Sequence, residues 1–262
     1  MPDRLDALVL VENIRCGITL LSLNRPEKRN ALNSKLIDAL CRALAEVETD
    51  LLQRVVILNG EGPSFCSGLD LHEAAEPESA ERMARGVERL LRTVRDSTLI
   101  SIACVHGTAA AGGAGLVSAC DLVVAADDSR IGYPEVHRGL VPALVMTSLL
   151  RQVGDRRARE LVLLGETIDA SQALAMGLVN RVVSRAECLD HAIAMAEKVL
   201  KGGPGAVVRT KRALQELTGV NLDEALVRAR EIHLAARSSA EAREGLTAFL
   251  EKRLPQWEQK RG

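Results

Sequence analysis

Short apolar runs alternate with amphipathic helical patterns over the first two thirds of the chain. Two runs at 5–13 and 16–23 are rich in aliphatic and β-branched residues and flank a brief polar break, so they predict a β-hairpin. Apolar side chains at a helical spacing then predict a helix that begins at Asn33 or Ser34 and ends near Glu48. The same patterns predict strands at 54–59, 99–105, 122–126, 130–135 and 178–183, and helices at about 78–96, 143–153 and 155–164. The segment at 130–135 is predicted to be an edge strand that ends in a Pro–Glu turn.

From residue 185 onward the pattern predicts helices alone, at about 185–200, 204–217, 221–236 and 239–252. The sequence Gly-Gly-Pro-Gly at 202–205 is the best candidate for a boundary, since Gly and Pro interrupt regular structure. We therefore predict an α/β core over residues 1–200 and a helical region over residues 201–262. One side of the last helix carries Leu246, Phe249, Leu250 and Leu254, and it would pack either on the core or on another subunit.

The composition of the 262 residues limits the classes of partner. Hydrophobic residues make up 47% of the chain and aromatic residues only 2%, so the core must consist of Leu, Val, Ala and Ile. The net charge of −1 and the scarcity of aromatic rings argue against binding to nucleic acid or to an acidic membrane surface. No secretory signal or membrane-spanning run is visible, so we expect no membrane partner and a cytoplasmic location.

The six cysteines and five histidines show no metal-binding pattern. The cysteines contain no Cys-x-x-Cys pair, which predicts reduced thiols in the cytosol. Cys104 and Cys120 lie in apolar runs and are predicted to be small core residues. The histidines are far apart and include no His-x3-His pair, so we expect no metal site.

The richest candidate chemistry lies at 105–121, with the sequence Val-His-Gly-Thr-Ala-Ala-Ala-Gly-Gly-Ala-Gly-Leu-Val-Ser-Ala-Cys-Asp. A predicted strand precedes its glycines and a short apolar helix follows them. Such a turn directs free N–H groups and the positive end of a helix dipole at whatever binds there. It does not form a phosphate-binding loop, because Gly113 and Ala114 occupy the positions of the required lysine and hydroxyl.

Three interpretations of this stretch remain open. The sequence Gly113-Ala-Gly115 partly matches a dinucleotide fingerprint, which keeps a nicotinamide-dependent oxidoreductase as an alternative, although the strand ends too early, near Val105. The turn could instead stabilise an oxyanion, with a second N–H supplied by the glycine-containing turn at 65–70. Both glycine clusters could equally serve only tight turns and close packing.

Five sequence blocks taken in order distinguish between these interpretations. They lie at 24–33, 62–71, 107–121, 133–142 and 165–180. Through them the chain resembles the crotonase (enoyl-CoA hydratase/isomerase) superfamily over nearly its whole length. The resemblance implies an α/β fold made of a crotonase-like spiral of ββα units. It also implies that the C-terminal helices join subunits into a homotrimer or a dimer of trimers.

The resemblance further implies an acyl-CoA thioester as the binding partner. The thioester carbonyl would lie between the backbone N–H groups of Leu69 and Gly112. The residues that would contact CoA are Lys28, Arg29, Ala31, Leu32, Ser67, Gly68, Asp70, Leu71 and Gly113. Lys28 and Arg29 would meet the CoA phosphates, or would simply be solvated loop charges. Coenzyme A is then part of the substrate, and no separate cofactor is expected.

Hydratases of this family use two glutamates, and only one of them is present here. The second is kept as Glu135, the implied acid/base, but the first falls on Gly115, which has no side chain. A single carboxylate suffices to shuttle a proton between two carbons, whereas water addition needs an acid and a base. The gap at Gly115 could leave space for a bulkier or branched acyl chain, as in methylglutaconyl-type hydratases.

Two further alternatives follow from the missing glutamate. Another polar group could replace it, the candidates being Tyr133, His137, His106 and His72. The chain could also be a homologue that binds CoA esters without catalysing a reaction.

Overall fold

The apolar runs form two β-sheets in the computed structural model, which describes residues 7–75 and 77–259. The strands of these residues are β1 (Val9–Arg15), β2 (Ile18–Leu23), β3 (Val55–Gly60), β4 (Ile100–Val105), β5 (Thr108–Ala110), β6 (Leu122–Ala126), β7 (Arg130–Gly132), β8 (Thr167–Asp169) and β9 (Arg181–Val183). The larger sheet has the order β1-β2-β3-β4-β6-β9. Its first two strands form the predicted antiparallel hairpin, and all the other neighbours are parallel.

Helices cover both faces of this sheet. They are α1 (Ser34–Thr49), α2 (Leu71–Ala74), α3 (Ala80–Asp96), α4 (Gly112–Ala119), α5 (Ala143–Leu164), α6 (Ala170–Met176), α7 (Cys188–Leu200), α8 (Pro204–Leu217), α9 (Leu222–Arg237), α10 (Ala240–Leu250) and α11 (Gln256–Gln259). One apolar cluster joins the sheet to α1, α3, α4 and α5, and a second joins it to α7. Strands β2 and β4 are therefore buried at every position, as expected for a parallel sheet covered on both sides.

Local sequence rules account for the bounds of the longer helices. Helix α1 begins where the Asn33 side chain accepts a hydrogen bond from the Leu36 N–H, at 2.8 Å, and its predicted apolar face is buried. The two helices predicted at 143–153 and 155–164 are confirmed within α5, because Gly154 has a φ of +75°, is not helical and separates them. Cys104 and Cys120 are buried, which confirms their prediction as core residues.

The smaller sheet corrects one prediction. Its order is β5-β7-β8, so the strand predicted at 130–135 as an edge strand lies at the centre and is shorter. Pro134 does not disrupt strand β7, because the strand ends at Gly132 and the proline begins the 3-10 turn at Pro134–Arg138. β7 is parallel to β5 and antiparallel to β8. This sheet places the 3-10 turn beside the start of α4.

The C-terminal helices extend away from the sheet except at α8. Lys211 of α8 is buried, and its ammonium group lies 2.8 Å from both the Leu99 carbonyl oxygen and a carboxylate oxygen of Asp121. Phe249 and Leu250 on α10 are 81% and 78% exposed, so in one chain they do not pack on the core. The division at residue 200 and the assembly of subunits stay predictions. Among the described residues, no helix is long and apolar enough to cross a membrane.

Candidate active site

Two loops that follow β2 and β3 lie side by side and carry the residues predicted to contact CoA. The Ser67 N–H donates to the Arg29 carbonyl at 3.0 Å, and the Leu32 N–H donates to the Gly68 carbonyl at 2.7 Å. The Asp70 N–H donates to the Leu32 carbonyl at 2.9 Å. The predicted segments 28–32 and 67–71 thus form one surface, with the side chains of Lys28, Arg29 and Leu71 exposed along it.

The Leu69 N–H is free in this arrangement. Leu32 forms an isolated parallel bridge with Leu69, and its hydrogen bonds go to the residues on either side, Gly68 and Asp70. The N–H of Leu69 therefore points away from Leu32, as in any parallel pair. Within residues 7–75 and 77–259 it has no hydrogen-bond acceptor.

Gly112 supplies a second free N–H close to the first. It is the first residue of α4, where an N–H has no partner inside the helix, and the described residues offer it no acceptor. An ideal Cβ on Gly112 would lie 3.8 Å from Cδ2 of Leu69 and 3.8 Å from the Cα of Gly68. The two N–H groups thus sit in one corner, at the positive end of the α4 dipole.

Close backbone packing explains the neighbouring glycines. Gly68 has a φ of +96°, and an ideal Cβ there would lie 2.8 Å from the Ala110 carbonyl oxygen. Gly113 packs on Cys66, whose carbonyl oxygen would lie 2.2 Å from a Cβ on that glycine. Ala111 also adopts a positive φ, of 48°, a costly conformation for a residue with a Cβ and one that recurs at functional sites. Together these residues bring the loop at 65–70 against the start of α4.

Glu135 lies in the 3-10 turn beside this corner. The turn is fixed there because the Ala111 N–H donates to the Gly132 carbonyl at 2.9 Å. Burial raises the pKa of Glu135, although the positive charge of Arg138 acts in the opposite direction. The Oε2 atom of Glu135 is buried, and no described residue donates a hydrogen bond to it. Such an unpartnered oxygen is uncommon in folded chains and fits a group that exchanges a proton with a ligand.

The position of the missing glutamate is filled, which corrects the expectation of open space. An ideal Cβ on Gly115 would lie 2.3 Å from Cγ1 and 2.8 Å from Cβ of Val145, a buried residue in the first turn of α5. All residues of α4 from Gly112 to Ser118 are buried, so its small side chains allow other elements to approach from every side. Gly115 therefore leaves no cavity for a bulky or branched acyl chain.

Of the four polar residues that could replace that glutamate, two are hydrogen-bonded to other groups and two are exposed. The hydroxyl of Tyr133 is bonded to α4 and is buried with its ring. The Nε2 atom of His106 lies 3.2 Å from the Gly62 carbonyl oxygen, and burial lowers the pKa of this imidazole. His137 is exposed and lies against Gly165, and His72 is exposed on α2.

Two residues that organise the site were not among the predicted ones. Arg25 donates to the Ala31 carbonyl at 2.6 Å and lies 3.1 Å from the Asp70 carboxylate, in a largely buried ion pair. Burial acts to raise the pKa of Asp70, but the hydrogen bonds from Arg25 and the His72 N–H together with the Arg25 charge outweigh it, and the pKa is lowered. The Asn30 amide donates to the Glu61 and Ser64 carbonyls, at 3.0 and 2.8 Å. The sequence signal available for Asn30 was an asparagine among the charged residues of this loop.

A cavity of about 590 Å³ lies elsewhere, between the end of α4, α5 and α8. Its lining includes Asp121, Lys211 and Arg151 but none of the predicted site residues. The ammonium group of Lys211 is fully used by Asp121 and by the Val94 and Leu99 carbonyls. This cavity is therefore separate from the corner that carries the free N–H groups of Leu69 and Gly112.

Comparison with known proteins finds similar proteins over nearly the whole chain. The family model described as enoyl-CoA hydratase/isomerase matches residues 13–260. The 2,3-dehydroadipyl-CoA hydratase of Escherichia coli is 35% identical over 91% of this chain and 94% of its own length. The enoyl-CoA isomerase/hydratase of Mycosarcoma maydis is 32% identical over 91% of this chain and 92% of its own. The crystal structure of an enoyl-CoA hydratase from Mycobacterium smegmatis superposes with a TM-score of 0.91, at 34% identity, over 96% of this chain and 99% of its own.

The fold and the matches extend over nearly the whole chain, and the matched relatives are enzymes with a crotonase fold. The chain belongs to the enoyl-CoA hydratase/isomerase family, within the crotonase superfamily.

Proposed function

We propose that the chain acts on an enoyl-CoA thioester and moves a proton on its acyl group, with Glu135 as the acid/base. The N–H groups of Leu69 and Gly112 would donate to the thioester oxygen, where negative charge develops as the enolate forms. Loss of one such donor costs about 3 kcal/mol of transition-state stabilisation. Both N–H groups are free to do this within the described parts of the chain.

One observation carries the proposal: the buried Oε2 atom of Glu135 lacks a hydrogen bond from any described residue. The strand that leads into this turn accepts a hydrogen bond at Gly132 from the N–H of Ala111, the residue before Gly112. Its raised pKa brings it closer to the working pH, which favours a group that must both accept and return a proton. A merely structural carboxylate would be paired, as Asp70 is.

The packing of Val145 on Gly115 favours proton shuttling over water addition. Hydration by two carboxylates needs a second polar group facing the substrate, and a branched apolar side chain fills the family position of that group. In the shuttle, Glu135 removes a proton from C2 of a 3-enoyl-CoA, the electron pair forms a dienolate, and the same carboxyl returns the proton to C4. The product is a 2-enoyl-CoA, and neither water nor a second base is consumed.

Hydration of an enoyl-CoA is the second candidate, because the matched relative from Escherichia coli is named a hydratase. In that case Glu135 alone would activate the water and deliver the proton. The substrates in this variant could include branched enoyl-CoAs, although Gly115 offers no extra volume for the branch. The products formed distinguish hydration from isomerisation.

We also propose how CoA is held. The exposed charges of Lys28 and Arg29 lie beside the loop at 67–71, where they could meet CoA phosphates. CoA enters as part of the substrate, and the proposal includes no other cofactor. The proposal includes a homotrimer or a dimer of trimers in the cytoplasm. The exposed apolar side chains Phe249 and Leu250 support a contact between subunits.

The test is turnover of 2-enoyl-CoA and 3-enoyl-CoA esters of several chain lengths by the purified protein. Glu135→Gln should reduce turnover by about 10²-fold or more, because the proton carrier is lost. Glu160→Gln, an exposed carboxylate on α5, is the matched control and should leave turnover unchanged. Unchanged turnover in Glu135→Gln would refute the assigned role. Tight binding of acyl-CoA without any turnover would instead identify a non-catalytic homologue.

A further inference from the structure

We propose that Tyr133 is a positioning residue, which holds Glu135 in place relative to the oxyanion corner through a hydroxyl contact with α4. The inference rests on the proposed function of Glu135. It concerns a buried phenol that takes no part in the proton transfer itself. Tyr133 lies two residues before Glu135, at the point where β7 passes into the 3-10 turn.

A closed set of hydrogen bonds joins Tyr133 to α4. The Tyr133 hydroxyl lies 2.5 Å from Oγ of Ser118 and 3.2 Å from the Ala114 carbonyl oxygen. The Ser118 hydroxyl lies 2.9 Å from the same carbonyl oxygen. Tyr133 is fully buried and Ser118 is 2% exposed, so water does not compete for these bonds. Two hydroxyl protons and one shared carbonyl make a satisfied network, which rigidifies its surroundings.

The contact spans the two halves of the proposed site. Ala114 follows the oxyanion residue Gly112 by two positions, and Tyr133 precedes Glu135 by two. A second bond, from the Ala111 N–H to the Gly132 carbonyl at 2.9 Å, holds the other end of the same short segment. Two attachments fix both the distance and the orientation of the 3-10 turn relative to α4. Catalytic geometry of this kind tolerates only small displacements.

Tyr133 is not itself the proton carrier. Burial and the nearby Glu135 carboxylate raise the pKa of Tyr133, so its hydroxyl stays protonated over the range in which Glu135 titrates. Its proton is also committed to Ser118 or Ala114, on the α4 side. The charged side chain that acts on Glu135 within the same turn is Arg138. Removal of the Tyr133 hydroxyl therefore changes position without removing a charge.

The experiment is Tyr133→Phe, measured with the enoyl-CoA ester that the wild type turns over. The ring is kept and Ser118 can still donate to Ala114, so this variant should fold and melt within a few degrees of the wild type. We expect kcat to fall about tenfold or more, with KM changed less than about twofold. The acid limb of the pH profile, which reports Glu135, should also shift.

Two serine variants complete the test. Ser118→Ala removes the other half of the contact and should lower kcat less, and the double variant should be no worse than Tyr133→Phe alone. Ser129→Ala is the matched control, because that buried hydroxyl donates to the Val105 carbonyl at 3.1 Å. It should leave kcat unchanged.

Separate outcomes decide separate claims. If Tyr133→Phe keeps the kcat and pH profile of the wild type while Glu135→Gln is inactive, this inference is wrong and the proposed function stands. If Tyr133→Phe loses activity only in proportion to lost folded protein, Tyr133 is merely structural and the inference is again wrong. If Glu135→Gln is fully active, the proposed function fails first.

Discussion

Val145 occupies the space that any side chain on Gly115 would need, with its Cγ1 atom 2.3 Å from an ideal Cβ on the glycine. The Cβ of Val145 would lie only 2.8 Å from that Cβ, and rotation of the valine side chain does not move this atom, so it cannot clear the position. Helices α4 and α5 are thus interlocked at this pair. A side chain at position 115 and a valine at position 145 are therefore sterically incompatible.

This interlock predicts that a glutamate at position 115 is not tolerated unless Val145 is also replaced. Gly115→Glu alone should destabilise the fold by about 3 kcal/mol or more, because it overpacks a buried contact and buries a charge. Gly115→Glu combined with Val145→Gly should recover part of that stability and gain hydration of 2-enoyl-CoA. Urea unfolding and a hydration assay measure the two effects, with Val145→Gly alone as the control. A fully stable Gly115→Glu single variant would contradict the interlock.

The raised pKa of Glu135 predicts that the ionised carboxylate needed for activity lowers the stability of the fold. Because burial raises this pKa in the folded chain, the folded chain binds the proton more tightly than the unfolded chain does. The ionised carboxylate therefore costs stability above the folded-state pKa, and the cost vanishes below the ordinary glutamate pKa of about 4.3. Glu135→Gln should melt at a higher temperature than the wild type near neutral pH.

Acidification should remove the difference in melting temperature between Glu135→Gln and the wild type. Melting curves of Glu135→Gln and the wild type from neutral pH down to about pH 4 measure it. A gap that widened as the pH fell would mean that the folded-state pKa is lowered rather than raised.

Gly68 predicts how sensitive the oxyanion corner is to backbone shape. Gly68→Ala would place a Cβ 2.8 Å from the Ala110 carbonyl oxygen at a φ of +96°, which must displace the N–H of the next residue, Leu69. We expect kcat to fall about 10²-fold, as when one oxyanion donor is lost. Single-turnover kinetics with an enoyl-CoA ester would separate this loss from weaker binding.

Gly86→Ala is the matched glycine control. Gly86 lies inside α3, where an added Cβ would meet Ile37 at an ordinary 3.5 Å. This variant should keep its activity and gain about 0.5–1 kcal/mol of stability from the better helix former. Equal damage by both alanines would show that the effect at Gly68 is not specific to the corner.

Buried Lys211 predicts that α8 is essential to the stability of the core. Lys211→Met would leave the Leu99 carbonyl and the Asp121 carboxylate without their cation, at a cost of about 2–3 kcal/mol. Urea unfolding measures the loss, and kcat per folded molecule should stay unchanged. An exposed lysine on α7, Lys198, is the position for a control substitution to Met. Stability equal to the wild type in Lys211→Met would refute this account.

Elements with strong local signals were predicted from the sequence. The cap at Asn33 and the helical spacing after it depend on residues a few positions apart, so the predicted bounds of α1 differ little from the observed ones. Strands β5 (Thr-Ala-Ala) and β8 (Thr-Ile-Asp) were not predicted, because neither lies in an apolar run, whereas the equally short β7 and β9 lie within longer predicted segments. For the same reason β7 was wrongly assigned to an edge, since β8 forms its second neighbour.

Within the site, the sequence showed which residues are present but not which of them are in contact. The absence of a carboxylate at Gly115 was visible in the sequence, but its contact with Val145 depends on how two helices pack. The CoA contact of Asp70 stays a prediction, and the pairing of its carboxylate with Arg25, 45 positions earlier in the chain, was not visible in the sequence. Contacts across such separations leave no local pattern.

The isolated bridges Leu32–Leu69 and Cys66–Ala109 join three distant stretches of chain into the oxyanion corner. A nascent chain that has not yet reached Glu135 holds all three of these stretches but lacks the carboxylate, so its site is incomplete. Ligand binding is then coupled to global folding rather than to any local opening. A bound CoA ester should therefore slow hydrogen exchange at the most protected amides of the central sheet, far from where it touches the protein.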